Sequence, residues 1–145
     1  MVDVTAKQPT VRAATARGFV RCAPEVVAAL RDGTVPKGDV LAVARIAGIQ
    51  AAKQTPALRT LARFLAVHWA TVSLAILGTG VECEATVRTA DRTGVEMEAL
   101  TAVSVAALAI VDMVKGMDKS TSIESVRITA KEGGRSGSWT RPDEK

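Results

Sequence analysis

A chain of 145 residues suits one domain, and 48% hydrophobic with 23% charged residues is a globular balance that excludes disorder, collagen and coiled coil as whole-chain readings. The net charge of +4 is mildly basic and fits an anionic ligand, but no Lys/Arg block of nucleic-acid type is present. Reactive side chains are scarce, with no tyrosine, two cysteines (Cys22, Cys83) and one histidine, His68.

The first residues, Met1 to Thr10, lack the basic and then apolar layout of a signal peptide, so a cytoplasmic protein with a flexible segment over about 1–9 is expected. Alternation of Val11, Ala13, Thr15, Arg17 and Phe19 predicts a strand over about 10–21. Pro24 suits a first helical turn, and Glu25–Leu30 reads as a short helix ended by Asp32-Gly33. After a turn at Pro36-Lys37-Gly38, Val40, Val43, Ala44, Ala47 and Ala51 predict a helix over about 40–54. Asp39 is its N-cap and Pro56 marks its end. Residues 58–76 carry two patterns: a helical stripe of Leu58, Leu61, Leu65 and Trp69, then a strand from Thr71 to Ile76. Gly78-Thr79-Gly80 is a turn, and Val81 to Arg88 alternates as the second arm of a hairpin. Asp91 to Gly94 breaks the strand, a long helix follows over about 95–117, and Ile123 to Lys131 alternates as a last strand. The Gly/Ser-rich tail over about 132–145 is expected to be mobile, or ordered only by ligand. The order of elements predicts one α+β domain over 1–145, with small side chains that favour close helix approach.

The uncharged apolar runs Leu65–Leu77 and Ala99–Val111 have 13 residues each, short of the roughly 20 that span a bilayer, so no membrane partner is expected. The cysteines have no CxxC spacing, which indicates neither a zinc site nor a disulfide framework; no metal and no cofactor are expected. Aromatic stacking platforms and a basic stripe are absent, so a nucleic-acid partner is not expected either.

The long helix is apolar nearly all round in its middle, which argues burial on several sides and hence an oligomer or a thick core. Asp112, Lys115 and Lys119 share one face, and Glu98, Thr101 and Asp112 fall within about 40° of one line. Fourteen residues at about 1.5 Å put Glu98 roughly 21 Å from Asp112 along the axis. One chain cannot bring both to a small ligand, but a symmetric neighbour could supply the missing half. Read alone, the same residues also describe a surface ion pair and carboxylates at a helix N-terminus. The cations near turns, Lys37, Lys53, Lys131 and Arg135, read singly as solvated charges, and no P-loop spacing exists.

The string GVEMEALTAVSVAAL from Gly94 to Leu108, with DMVK from Asp112 to Lys115, resembles the signature helix of the cyclic pyranopterin monophosphate synthase family of molybdenum cofactor biosynthesis. MVDVTAK (1–7), KGDVLAVARIAGIQAAKQT (37–55), ATVRTADRTG (85–94) and KEGGRSG (131–137) extend the resemblance over nearly the whole chain. It implies a ferredoxin-like antiparallel sheet packed with helices, and a homo-oligomer, a hexamer built as a trimer of dimers with sites at the subunit interface. It also implies a nucleotide-derived triphosphate substrate, 3′,8-cyclo-7,8-dihydroguanosine triphosphate, converted to cyclic pyranopterin monophosphate with release of pyrophosphate. By motif position Asp112 and Lys115 match the family's catalytic pair, and Lys37, Lys53, Lys131 and Arg12 match its cationic residues. Glu96, Met97 and Glu98 match its substrate-binding Glu-Met-Glu. These residue types suit the chemistry: a triphosphate needs several cations, Asp112 one helical turn from Lys115 can orient its ammonium, and a glutamate can accept from a guanine-like N–H edge.

One segment departs from the pattern. Where the family reads LIPLCHPLPL, residues 58–67 read LRTLARFLAV, so the family's Cys-His-Pro becomes Ala62-Arg63-Phe64. Arg63 keeps a positive charge for phosphate but cannot trade protons near neutral pH. His68 lies five positions beyond the family's histidine, so that role is not carried over to it. Loss of both prolines permits a helix over 58–69. Two functional expectations follow: the family's synthase activity, or a catalytically impaired or inactive paralogue that binds an anionic nucleotide or joins an active subunit.

Overall fold

The computed structural model describes residues 1–58, 61 and 63–144. Its elements are β1 (Thr10–Arg21), α1 (Pro24–Asp32), α2 (Val40–Leu58), β2 (Trp69–Leu77), β3 (Gly80–Asp91), α3 (Glu96–Val114), β4 (Ser122–Glu132), β5 (Trp139–Thr140) and a 3-10 turn (Pro142–Glu144). The sheet has the order β2-β3-β1-β4-β5 with antiparallel neighbours throughout, the expected α+β arrangement.

Strand alternation selects the buried face. On β1 Ala14, Ala16 and Val20 are buried, and on β3 Val81, Cys83, Ala85 and Val87 point to the same side. Helix α3 lies on that side. A Cβ on Gly18 would meet the Val103 Cγ1 at 2.9 Å, so glycine permits the close approach of strand and helix. Helix α2 packs on α3 through another glycine: a Cβ on Gly48 would lie 2.9 Å from the Ala102 carbonyl oxygen. The core is built mostly from alanine and valine, and its small side chains bring the backbones close.

Helix α3, with 19 residues and mean hydropathy 1.8, is long and apolar enough to cross a membrane by length and composition. Here it packs on α2 and the sheet, with Ala99, Ala102, Val103, Ala106 and Ile110 buried, as the core helix of a folded domain does.

Four local expectations are corrected. Helix α2 continues to Leu58 with Pro56 inside it, since a proline in the last turn removes only one hydrogen bond. Helix α3 ends at Val114 rather than near 117, where the amides of Met117 and Asp118 both turn back onto the Val114 carbonyl. The helix permitted over 58–69 does not form across residues 63–68, which have no regular secondary structure, while Arg59, Thr60 and Ala62 lie outside the described residues. The glycine-rich tail contains β5, whose Trp139 and Thr140 pair with Lys131 and Ala130. Glu144 beyond it accepts from Arg17 and Arg127. The β1–β4 ladder also carries register shifts, and nearby Ser125 on β4 has φ 56, an uncommon left-handed backbone for a residue with a side chain.

Candidate active site

The predicted site residues fall into two groups at opposite ends of α3. At its C-terminal end, Asp112 lies in the last turn and Lys115 caps the helix. The Lys115 Nζ is 2.6 Å from the Asp112 Oδ1. Lys37, carried by the turn between α1 and α2, donates from Nζ to the Asp112 backbone carbonyl at 2.9 Å and lies 3.5 Å from the same Oδ1. Carbonyls in the last turn of a helix lack intrahelical partners and carry the negative end of its dipole, so an ammonium from outside satisfies one of them. The Lys115 hydrogen bond, followed by the charges of Lys115 and Lys37, holds the Asp112 carboxyl below its ordinary value. All three side chains are about half exposed and accessible to a ligand.

At the N-terminal end of α3, the Lys131 Nζ is 3.2 Å from the Glu96 Oε1. Met97 is partly exposed, while Glu98 is fully buried. The stripe expected to join Glu98, Thr101 and Asp112 therefore has graded burial: Glu98 is enclosed, Thr101 is half-buried with its hydroxyl on the Met97 carbonyl, and Asp112 is exposed. Lys119 lies beyond the end of the helix and does not continue the Asp112–Lys115 face.

Arg12 on β1 donates from Nε to the Asp91 carbonyl at 3.1 Å. Its guanidinium lies against Gly134, where any Cβ would collide with it, and Gly133 and Gly134 take φ of 86° and 75°. Two consecutive left-handed residues explain glycine at both positions. Lys7, Gln8, Arg12, Gly134 and Arg135 line a cavity of about 170 Å³ there. Helices α2 and α3 run antiparallel, because the segment leading into α2 meets Asp112 while Gly48 faces Ala102 and Ala106. Lys53, further along α2, is accordingly exposed toward the Glu96–Glu98 end.

Arg63 occupies a different cavity, of about 330 Å³, with Val4, Thr5, Phe64, Asp91, Arg92 and Thr93. Asp91 connects it to the Arg12 group, since its carbonyl holds Arg12 and its carboxylate accepts from the Arg92 amide. Neither Asp91 nor Arg92 stands out in the sequence as a site residue. The signal available was strand register, because Arg12 pairs with Thr89 and Thr10 with Asp91. No group of three or more His, Cys, Asp or Glu side chains suited to a metal occurs among the described residues.

The structure thus joins Lys37, Asp112 and Lys115, pairs Lys131 with Glu96, and sets Arg12 against Asp91 and Gly134. The rise of α3 keeps Asp112 roughly 21 Å from Glu98 along the axis.

Comparison with known proteins gives a match to the MoaC family over residues 1–134. A protein of Streptomyces coelicolor is 58% identical over 141 residues, covering 97% of this chain and 83% of that protein. One of Nocardioides is 54% identical over 145 residues, covering 98% and 89%, and one of Chloroflexus aurantiacus is 54% identical over 144 residues, covering 98% and 88%. Each of the three is named cyclic pyranopterin monophosphate synthase.

Proposed function

The chain belongs to the MoaC family, and from that premise we propose that it converts 3′,8-cyclo-7,8-dihydroguanosine triphosphate to cyclic pyranopterin monophosphate, releasing pyrophosphate, in molybdenum cofactor biosynthesis. The observation that carries this reading is the contact of one carboxylate, Asp112, with two lysines at a solvent-accessible helix end. Lys115 and Lys37 act as proton relay and phosphate ligand, and Asp112 orients both ammonium groups and balances their charge. Arg12, Lys53, Lys131 and Arg63 bind the triphosphate, while Glu96 and Met97 bind the pterin-forming end, with the enclosed Glu98 behind them. Reading the chain as an inactive paralogue finds no support in the comparisons, where relatives at 52–58% identity carry the synthase name.

The active site is completed between subunits of a cytoplasmic homo-oligomer, a hexamer assembled as a trimer of dimers. This reading is supported by the separation of the two groups along α3, which a neighbour related by two-fold symmetry overcomes by placing its N-terminal group beside this chain's Asp112.

The test is turnover of the cyclic triphosphate, with pyrophosphate and the cyclic monophosphate both measured. Wild-type protein is expected to form both in equal amounts, and Lys115→Ala or Asp112→Ala to lower the rate by about 10²–10⁴-fold, the usual contribution of a positioned proton-transfer group. Undiminished turnover in both variants would overturn the assignment of the pair.

A further inference from the structure

We propose that His68 is a proton-transfer residue of this site, supplying the imidazole chemistry that Arg63 cannot. The inference rests on the synthase reading above. Three observations support it: the surroundings of Nδ1, the accessibility of Nε2 and the position of the ring.

The His68 Nδ1 lies 3.4 Å from the Thr89 Oγ1 and 3.4 Å from the Ala90 amide nitrogen. Thr89 gives its own hydroxyl proton to the Ala66 carbonyl, so toward the ring it offers only lone pairs. The Ala90 amide can only donate. Nδ1 is therefore bracketed by one acceptor and one donor, and each protonation state of the ring has a partner. When Nδ1 carries its proton it donates to Thr89, and when bare it accepts from Ala90. Nε2 makes no hydrogen bond among the described residues, and His68 is exposed. With Nδ1–H held on Thr89, Nε2 can take a proton from a bound ligand to give the imidazolium and later return it, with no other bond to rearrange.

The position also fits. The His68 amide donates to the Arg88 carbonyl, so the ring sits beside the end of β3. Thr89 points to the helix-bearing face in phase with Val81, Cys83, Ala85 and Val87, and its register partner on β1 is Arg12. One strand therefore separates His68 from Arg12, about 10 Å between backbones at two strand spacings. The charged neighbours along these elements are Arg88 and Asp91 on β3, Arg12 on β1 and Arg63 in the preceding segment, with Arg88 stacked over the Trp69 ring.

His68→Asn puts an amide where Nδ1 was and keeps a partner for Thr89 and Ala90, while His68→Gln puts one near Nε2; neither titrates. Both variants are expected to lose about 10²-fold in kcat with KM little changed, and to lose the pH dependence that one imidazole imposes on kcat. Wild-type rate and pH profile in either variant, against an active wild type, would overturn the role of His68 and leave the synthase reading intact. A second readout needs no turnover. The chain has one histidine, so its imidazole gives one Cε1–H resonance. Inorganic pyrophosphate at fixed pH is expected to move that resonance, because an anion bound beside Arg12 comes close to the exposed ring. A resonance unmoved by saturating pyrophosphate would overturn the proposal independently.

Discussion

Asp112 gathers more of the site geometry than any neighbouring residue, since it meets both Lys37 and Lys115. Its folded-state carboxyl titrates below the ordinary 3.8, so its ion contacts are complete above 3.8 and are lost as pH falls through the depressed value. Carboxyl NMR titration is expected to show a midpoint under 3.8 that returns toward it in Lys115→Ala; a wild-type midpoint at or above 3.8 would remove the electrostatic basis of the pair. The thiols behave oppositely. Burial, then the charges of Glu82 and Cys22, pushes Cys83 up to about 12, and burial also raises Cys22. Native protein at pH 8 is expected to resist a water-soluble disulfide reagent at both cysteines and to react at both once unfolded. As pH climbs from about 9 toward 12 the unfolded chain releases these protons first, so native stability is expected to fall across that window.

At the scale of elements, Gly48 gives the sharpest test of packing. In a helix interior alanine is intrinsically favoured over glycine by about 1 kcal/mol. At this position a Cβ would press on the Ala102 carbonyl oxygen and the Val72 side chain, and overpacking costs about 1–3 kcal/mol. Gly48→Ala is therefore expected to lower the urea midpoint, despite better helix propensity. Periodicity made most elements legible: β1 spans 10–21 as alternation predicts, and the turn before Val81 joins a β2–β3 hairpin. The errors have local causes. A proline in a last turn is cheap, so α2 outlasts Pro56. A strand of two residues has no period to detect, so β5 was hidden behind the glycines that let the chain turn back. The motif residues of the site could be read by their spacing and resemblance, whereas the surroundings of His68 depend on register between strands distant in sequence.

At the scale of the whole molecule, the C-terminal residues fasten one side of the sheet. Glu144 receives Arg17, which also holds Glu84, and Arg127, so one carboxylate links β1 and β4. Deleting residues 139–145 is expected to lower the thermal midpoint by a few degrees, whereas an unchanged midpoint would show that β5 and its turn add nothing to stability. The assembly proposed above predicts a solution mass about six times the 15.1 kDa of one chain. The division of α3 into two working ends also has a genetic meaning. If each end serves a different centre, Lys115→Ala and Lys131→Ala damage separate halves. A two-fold pair formed from one subunit of each kind then contains one centre with both defects and one with neither. Random pairing in an equal mixture would restore about a quarter of the centres by symmetry alone. Two inactive alleles could then support cofactor synthesis when expressed together, although neither does so alone.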